Sequence, residues 1–312
     1  MVTYLLLLTV VLTLGFNWPI MAIGLQSITP LWMGTFRIVG ALAIMTSVGV
    51  VTGQLHLPRR RDLPVVWSVG IFRLFLVTVI VFSALRIVPP GRSSVLAWTA
   101  SLWTVPLAAL FLKERMTPLR WIGLWVGISG IVLLFEPWRF NWSDTMVIGG
   151  HALLMASAFT NAATTVHIRK HGWGSSTLEI MPWQLLVAAI PVTVLALAVE
   201  GLPTIEWEPQ LLAIVIYQGL FATAVAVWAQ QTVLQRLPAV STNLTLMAVP
   251  VVGLLSSVAL VGERLTAAIV GALILILAGV ATNILADYRR RSAQAEQRGR
   301  IAASDSGDLP LP

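Results

Sequence analysis

Two arginines, Arg37 and Arg73, stand inside otherwise apolar stretches of the chain. Arg37 falls about seven residues, roughly 10 Å of helical rise, into its stretch, and Arg73 lies at a similar depth in the next one. A charge at that depth costs several kcal/mol in hydrocarbon, so it faces protein or water rather than lipid. No Asp or Glu falls inside the apolar stretches beyond Glu179 at the very start of one, so neither arginine has an obvious carboxylate partner. A guanidinium fork in an aqueous cavity is suited to a ligand carboxylate. The competing reading is snorkelling to an interface, or capping of carbonyls freed by helix breaks. Both readings stand for Arg73. For Arg37 a structural or gating role is preferred over substrate contact, because a membrane-buried charge need not touch substrate.

Neutral polar and aromatic residues supply the rest of a candidate binding surface. Asn17 and Trp18 precede Pro19, which cannot donate to the carbonyl of Gly15, so a kink with a free acceptor is expected there. Trp98 and Trp103, with Thr99, Ser101 and Thr104, give one stretch a mixed aromatic and hydroxyl face. Asn161, Tyr217, Gln218, Trp228, Gln230, Gln231, Asn243 and Thr245 add donors and acceptors further along, and Gln184 lies near another stretch's end. Asn17, Trp18, Arg73, Trp98, Trp103, Asn161, Tyr217, Trp228, Gln231 and Asn243 are the expected substrate contacts. Each has an alternative use in interhelical packing or hydrogen bonding. Pro106, Pro191 and Pro250 are expected to break three further helices.

One different chemistry is spelled out. Gly127-Ile128-Ser129-Gly130 matches the short motif of intramembrane serine proteases, and His151 is the one histidine inside an expected span. A serine nucleophile needs such a base within reach. Gly123, Gly127 and Gly130 also share one helix face, the spacing of close helix packing, and this is the preferred reading. No metal-ligand cluster or phosphate loop is apparent, cysteine is absent, and neither an enzyme nor a cofactor is expected.

The elements that must position these residues are apolar helices. Of 312 residues, 57% are hydrophobic and only 11% charged, with mean hydropathy +0.85. Soluble chains carry roughly a quarter charged residues, so lipid is the expected solvent. Runs of about 20 apolar residues fall near 4–24, 31–51, 65–85, 93–112, 119–135, 146–166, 179–199, 210–233, 240–261 and 265–285. The start lacks a basic region and reads as a retained first span.

With the N-terminus in the cytoplasm, Arg59, Arg60, Arg61, Lys113, Arg115, Arg120, Arg169, Lys170, Arg236 and five tail arginines lie inside. Only Arg86, Arg92, Arg139 and Arg264 lie outside. The basic excess is therefore a topology signal, and nucleic acid is not an expected partner. Both termini are cytoplasmic, which an even number of spans satisfies. Trp32, Trp67, Trp121, Trp138, Trp142, Trp173, Trp183 and Trp207 fall near expected interfaces, as an aromatic belt would. The Asn141-Trp142-Ser143 sequon carries meaning only in a eukaryotic setting. Residues 289–312 have the composition of a disordered cytoplasmic tail.

LKERMT at 112–117 recurs as VGERLT at 261–266, an offset of 149 residues. Five spans per copy is odd, so the copies insert oppositely, placing Glu114 at the inner face and Glu263 at the outer. The expected fold is an all-α membrane protein of ten transmembrane helices in two inverted five-helix repeats, 1–144 and 145–288.

On these residues the chain resembles the EamA-type members of the drug/metabolite transporter superfamily. The matching features are Gly15-Phe16-Asn17-Trp18-Pro19, Phe36-Arg37, Gly91-Arg92, Lys113-Glu114-Arg115, Pro250-Val251-Val252 and Gly262-Glu263-Arg264, in order over residues 1–287. Many relatives carry a basic residue shortly after the Asn-aromatic-Pro element, where this chain has Ala22. The resemblance implies efflux of amino acids, related metabolites or drugs across a bacterial inner membrane.

The expected activity is alternating-access export of a small zwitterionic or amphipathic metabolite such as an amino acid. The cavity would be lined from spans 1, 3, 4, 6, 8 and 9, with glycines of spans 5 and 10 packing the scaffold. Pro19, Arg37, Pro250, Glu114 and Glu263 are expected in structural or gating roles. A translocator of nucleotide-sugars, lipid-linked groups or drugs is the alternative on the same fold. The expected partners are the bilayer and the substrate, with the chain as monomer or homodimer.

Overall fold

The computed structural model describes residues 2–114, 116–135, 144–172, 174–203, 205, 207–229 and 246–307. Among them the regular structure is helical. The helices are α1 (Val2–Gly24), α2 (Pro30–Val51), α3 (Leu63–Ala84) and α4 (Pro90–Phe111). They continue with α5 (Pro118–Phe135), α6 (Thr145–His171), α7 (Thr177–Glu200) and α8 (Pro209–Ala229). Last come α9 (Ala248–Val261) and α10 (Ala267–Gly307).

Eight of these contain stretches long and apolar enough to cross a membrane, and the apolar helices Pro118–Leu134 and Ala248–Val261 are shorter. Their outward faces keep large apolar side chains such as Val50, Leu110, Ile122, Ile190 and Ile274 exposed. Surfaces of that kind are stable only against lipid.

The helix ends follow the local chemistry. α2, α4, α5 and α8 begin at prolines, where the missing N–H is an orphan anyway. The Asp144 carboxylate accepts from the N–H groups of Met146 and Val147 at the start of α6. Ser176 and Glu179 form a reciprocal capping box on α7. Interior prolines behave differently from expectation. Pro19, Pro106 and Pro191 lie inside continuous helices, and Pro250 sits in the first turn of α9. The interruption in α4 falls instead at Thr99, between Pro90–Trp98 and Ala100–Phe111, where the Thr99 hydroxyl donates to the Leu96 carbonyl at 2.6 Å.

α6 also runs to His171, beyond the expected end at 166, so His167 and His171 join His151 on one helix. α10 continues to Gly307 through residues that composition assigns to a disordered tail. The Ala, Gln, Glu and Arg of that stretch are good helix formers.

The helices pack in crossed pairs: α1 on α9 and α4 on α6, α2 on α8 and α3 on α7, with α2–α7, α4–α9 and α5–α10 closing the bundle. α5 and α10 cross at glycines. A Cβ on Gly279 would lie 2.6 Å from the Gly123 carbonyl oxygen and 2.6 Å from the Gly127 nitrogen. The glycine face of α5 therefore packs a helix, as its spacing implied. Ser129 lies on the exposed side, its hydroxyl donating to Val126 at 2.8 Å. His151 bonds the Val147 carbonyl through Nδ1 at 2.8 Å, and no hydrogen bond joins the two among the described residues.

Carboxylates anchor α7 at both ends, the half-buried Glu200 to the start of α2 and the buried Asp62 from the start of α3. Glu200 accepts from the N–H groups of Leu31 and Trp32, each at 3.1 Å, at the start of α2. At the opposite end Asp62, wholly buried, accepts from Ser175 Oγ at 2.6 Å and Gly174 N–H at 3.1 Å. Its desolvation raises the carboxyl pKa, but these hydrogen bonds and the nearby arginines outweigh it and hold it below the usual range.

Candidate functional site: a cavity at the centre of the bundle

A cavity of ≈ 640 Å³ runs through the bundle from Phe82 near one end to Glu114, Arg120 and Arg169 at the other. This is the size of a small-molecule pocket. Its wall comes from α1, α2, α3, α4, α6, α8 and α9, and toward the Glu114 end also from α5 and α10. The expected lining from spans 1, 3, 4, 6, 8 and 9 is thus extended by α2, α5 and α10. The glycines of α5 and α10 do pack against each other, but Arg120, Ile276, Val280 and Asn283 present the pair's inner edge to the cavity.

Helix irregularities cluster on this wall. The Thr99 break turns Ala97, Trp98, Ala100, Ser101 and Thr104 of α4 to the cavity. α3 and α8 each contain a π-helical segment, Val69–Leu76 and Tyr217–Val225, whose starts are 148 positions apart (217 − 69). Such wide turns release backbone acceptors and recur at functional sites. In α8 the Thr223 hydroxyl fills the i→i−5 gap by donating to the Gln218 carbonyl at 2.8 Å, and then accepts from Arg37 Nε at 2.9 Å. In α3 the π segment carries Arg73.

The two arginines are thereby distinguished. Arg37 is held: besides Thr223 it donates to Met21 Sδ at 3.5 Å and lies over the Phe82 ring at 5.9 Å. It binds α2 to α8 and α1, as a structural role requires. Arg73 lines the cavity and has neither a hydrogen-bond acceptor nor a carboxylate partner among the described residues. Asn17 is 5% exposed, and its Nδ2 donates to Met21 Sδ at 3.5 Å. Its Oδ1 has no donor among the described residues.

Trp18, Trp98, Asn161 and Pro250 also reach the cavity. Three other expected contacts do not. Tyr217 donates its hydroxyl to the Thr13 carbonyl at 2.6 Å. Trp103 packs edge-on against Phe159 with ring centroids 6.2 Å apart. Trp228 is 39% exposed on the bundle's outer side. Gln218 is fully buried away from the cavity. Gln230, Gln231, Asn243 and Thr245 lie outside the described residues, as do Arg115, Arg236, Trp138, Trp142, Trp173 and the sequon at 141–143.

Two charged cavity residues were missed as such: Arg120 and Arg169 count in the sequence only as topology charges. At this end of the cavity, Glu114 pairs with Arg120 Nη2 at 2.8 Å and Arg169 Nη2 at 3.4 Å. Arg120 is only 5% exposed. The six-residue spacing of Glu114 and Arg120 was a weak signal, and the approach of Arg169 from α6 had none. At the opposite end Glu263 does not reach the cavity; it joins α9 to the start of α4.

A multi-pass helical bundle around such a cavity is the architecture of a membrane transporter. The chain belongs to the EamA-like transporter family, whose pattern matches residues 1–136 and again 148–285. It is 26% identical to a "Probable amino-acid metabolite efflux pump" of Salmonella typhimurium, over 93% of this chain and 97% of that protein. It is 23% identical to the "Uncharacterized transporter YoaV" of Bacillus subtilis, over 91% and 97%. A "Probable terminal-alkyne amino-acid exporter" of Streptantibioticus cattleyicolor is 28% identical over 83% and 84%. One crystal structure superimposes with a TM-score of 0.64 at 21% identity, covering 92% of this chain and 98% of that one. That likeness shows the fold.

Proposed function

We propose that the protein exports small amphipathic metabolites, amino acids or compounds related to them, by alternating access across a bacterial inner membrane. In this reading α1–α10 are ten spans in two inverted five-helix repeats, 1–144 and 145–288, with both termini in the cytoplasm. The exchange of partners between α1–α9 and α4–α6, and between α2–α8 and α3–α7, supports the repeat. So do the twofold family match and the π segments at equivalent places. In this reading the Glu114 end of the cavity faces the cytoplasm, in keeping with the basic loops on that side.

The observation that carries the reading is Arg73, a guanidinium lining a largely apolar cavity with no acceptor of its own among the described residues. A substrate carboxylate supplies that acceptor. Asn17 Oδ1 receives a donor beside it, and Trp18 and Trp98 flank the apolar body. The names of two relatives, an amino-acid metabolite pump and an amino-acid exporter, agree with this class.

The test is uptake into proteoliposomes of labelled amino acids and amphipathic carboxylates, with wild type beside Arg73→Ala and Asn17→Ala. Saturable flux, reduced about tenfold or more by Arg73→Ala in a folded protein, is the expected result. Absence of flux for every compound, with and without a proton gradient, would sink it.

A further inference from the structure

We infer that the cavity selects an organic anion, a carboxylate on an apolar body whose amine is absent or acylated, over the corresponding zwitterion. The inference rests on the transporter reading of the same cavity and narrows its substrate.

The charges on the wall are lopsided. Among the described residues the cavity is lined by four guanidiniums, of Arg37, Arg73, Arg120 and Arg169, and by one carboxylate, of Glu114. The formal sum is +3. Low-dielectric walls weaken screening, so a like-signed lining focuses its field into the cavity and concentrates ions of opposite sign there. An ammonium group would meet that field unfavourably unless a carboxylate received it.

Glu114 is poorly placed to do so. It sits at one end of the cavity, and its two oxygens already face Arg120 and Arg169. A substrate ammonium would have to displace two cations from it. Deeper in, the acceptors that line the wall are neutral, among them the amides of Asn17 and Asn161 and the hydroxyls of Ser101 and Ser157. Such groups suit an amide N–H as well as an amine but cannot balance a positive charge.

The anion's place is equally specific. Arg37 is spent on Thr223, Met21 and the Phe82 ring. Arg73 has no protein acceptor among the described residues. A carboxylate on Arg73 would lie about halfway along α3, with apolar wall from Val77, Val81 and Phe82 on one side. An N-acyl group or an amine-free chain carries no charge into that region.

The experiment is calorimetric titration of the purified full-length protein with two matched series. One comprises 3-phenylpropionate, N-acetylphenylalanine, phenylalanine and phenethylamine, and the other is the isobutyl series ending in leucine. Both anions of a series are expected to bind about tenfold or more tightly than the zwitterion, and the amine more weakly still. Arg73→Gln should weaken the anions most and so remove their advantage, weaken the zwitterion less, and leave the amine no weaker, and Arg73→Lys should restore part of the advantage. Zwitterions binding as well as the anions would overturn the inference. So would an advantage that survives Arg73→Gln, or no binding of any anion in either series. Proteoliposome flux separates the two proposals. Flux of zwitterions alone overturns the anion preference and keeps the carrier, whereas charge-ranked binding without any flux overturns the carrier.

Discussion

Glu263, just after α9, accepts a hydrogen bond from the backbone N–H of Gly91 at the start of α4, at 2.7 Å. A second comes from Arg92 N–H at 3.2 Å. Gly262 ends α9 in the left-handed conformation (φ 67°) and so turns the chain for this contact. The carboxylate lies at a helix N-terminus, where orphan N–H groups and the helix dipole favour it. Gly91 admits it because a Cβ there would stand 2.7 Å from Glu263 Oε2 and 2.8 Å from Leu254 Cδ1. Gly91→Ala is therefore expected to lower the thermal midpoint of the purified protein by several degrees. An unchanged midpoint would count against the contact.

The same carboxyl has a pH signature. Burial holds Glu263 above its ordinary value of 4.5, and the N–H groups of Gly91 and Arg92 with the Arg92 charge recover only part. A carboxyl raised in the folded state contributes stability that is fully present below the unfolded pKa. That contribution is lost as pH rises through the folded pKa. Glu263→Gln mimics the protonated form, so the wild-type midpoint should fall relative to the variant's between pH 4.5 and neutrality. Thermal scans across that range decide it, and parallel curves would refute the linkage.

Thr223→Val should expose the role of Arg37. The substitution keeps the shape but removes the acceptor for Arg37 Nε and the donor to the Gln218 carbonyl. The cost expected for such unmatched groups is about 1–3 kcal/mol. Thr223→Ser keeps both bonds and should retain most of the stability. Chemical unfolding of the three proteins gives the comparison.

The α5–α10 crossing should tolerate no side chain. Gly279→Ala sets a methyl against the Gly123 and Gly127 backbones at 2.6 Å, where nothing flexible can yield. Overpacking of this kind costs about 1–3 kcal/mol. Gly149 in α6 has nothing within 4 Å of the added atom, and Gly149→Ala should be neutral or stabilising by up to about 1 kcal/mol. Equal midpoints for the two variants would contradict this account.

Ser129→Ala should leave transport and stability unchanged, since the hydroxyl only turns back on its own helix at Val126. Loss of a proteolytic activity in the variant would revive the protease motif.

The helices were legible because the signal is additive. Each long apolar run declares itself without reference to any other, and Pro30, Pro90, Pro118 and Pro209 mark starts in the sequence alone. Arg73 was legible for a related reason, as a charge in an apolar run must find protein or water. Trp103 and Trp228 were not, because an aromatic residue suits lipid, core and cavity equally well and helix rotation decides among them. The prolines misled for a physical reason too. Pro106 and Pro191 are accommodated inside continuous helices, while the actual departures, at Thr99 and the two π segments, contain no proline.

What the sequence determined by itself was the solvent, the helices, the kinship and the presence of two charges that lipid cannot hold. Tertiary structure decided which of those charges is occupied. Arg37 meets Thr223 from a position 186 residues away, and Arg169 meets Glu114 from the far end of α6. Hydrocarbon penalises a charge one residue at a time, and that penalty can be read along a chain. A partner is chosen by helix packing in three dimensions, and no local pattern encodes it.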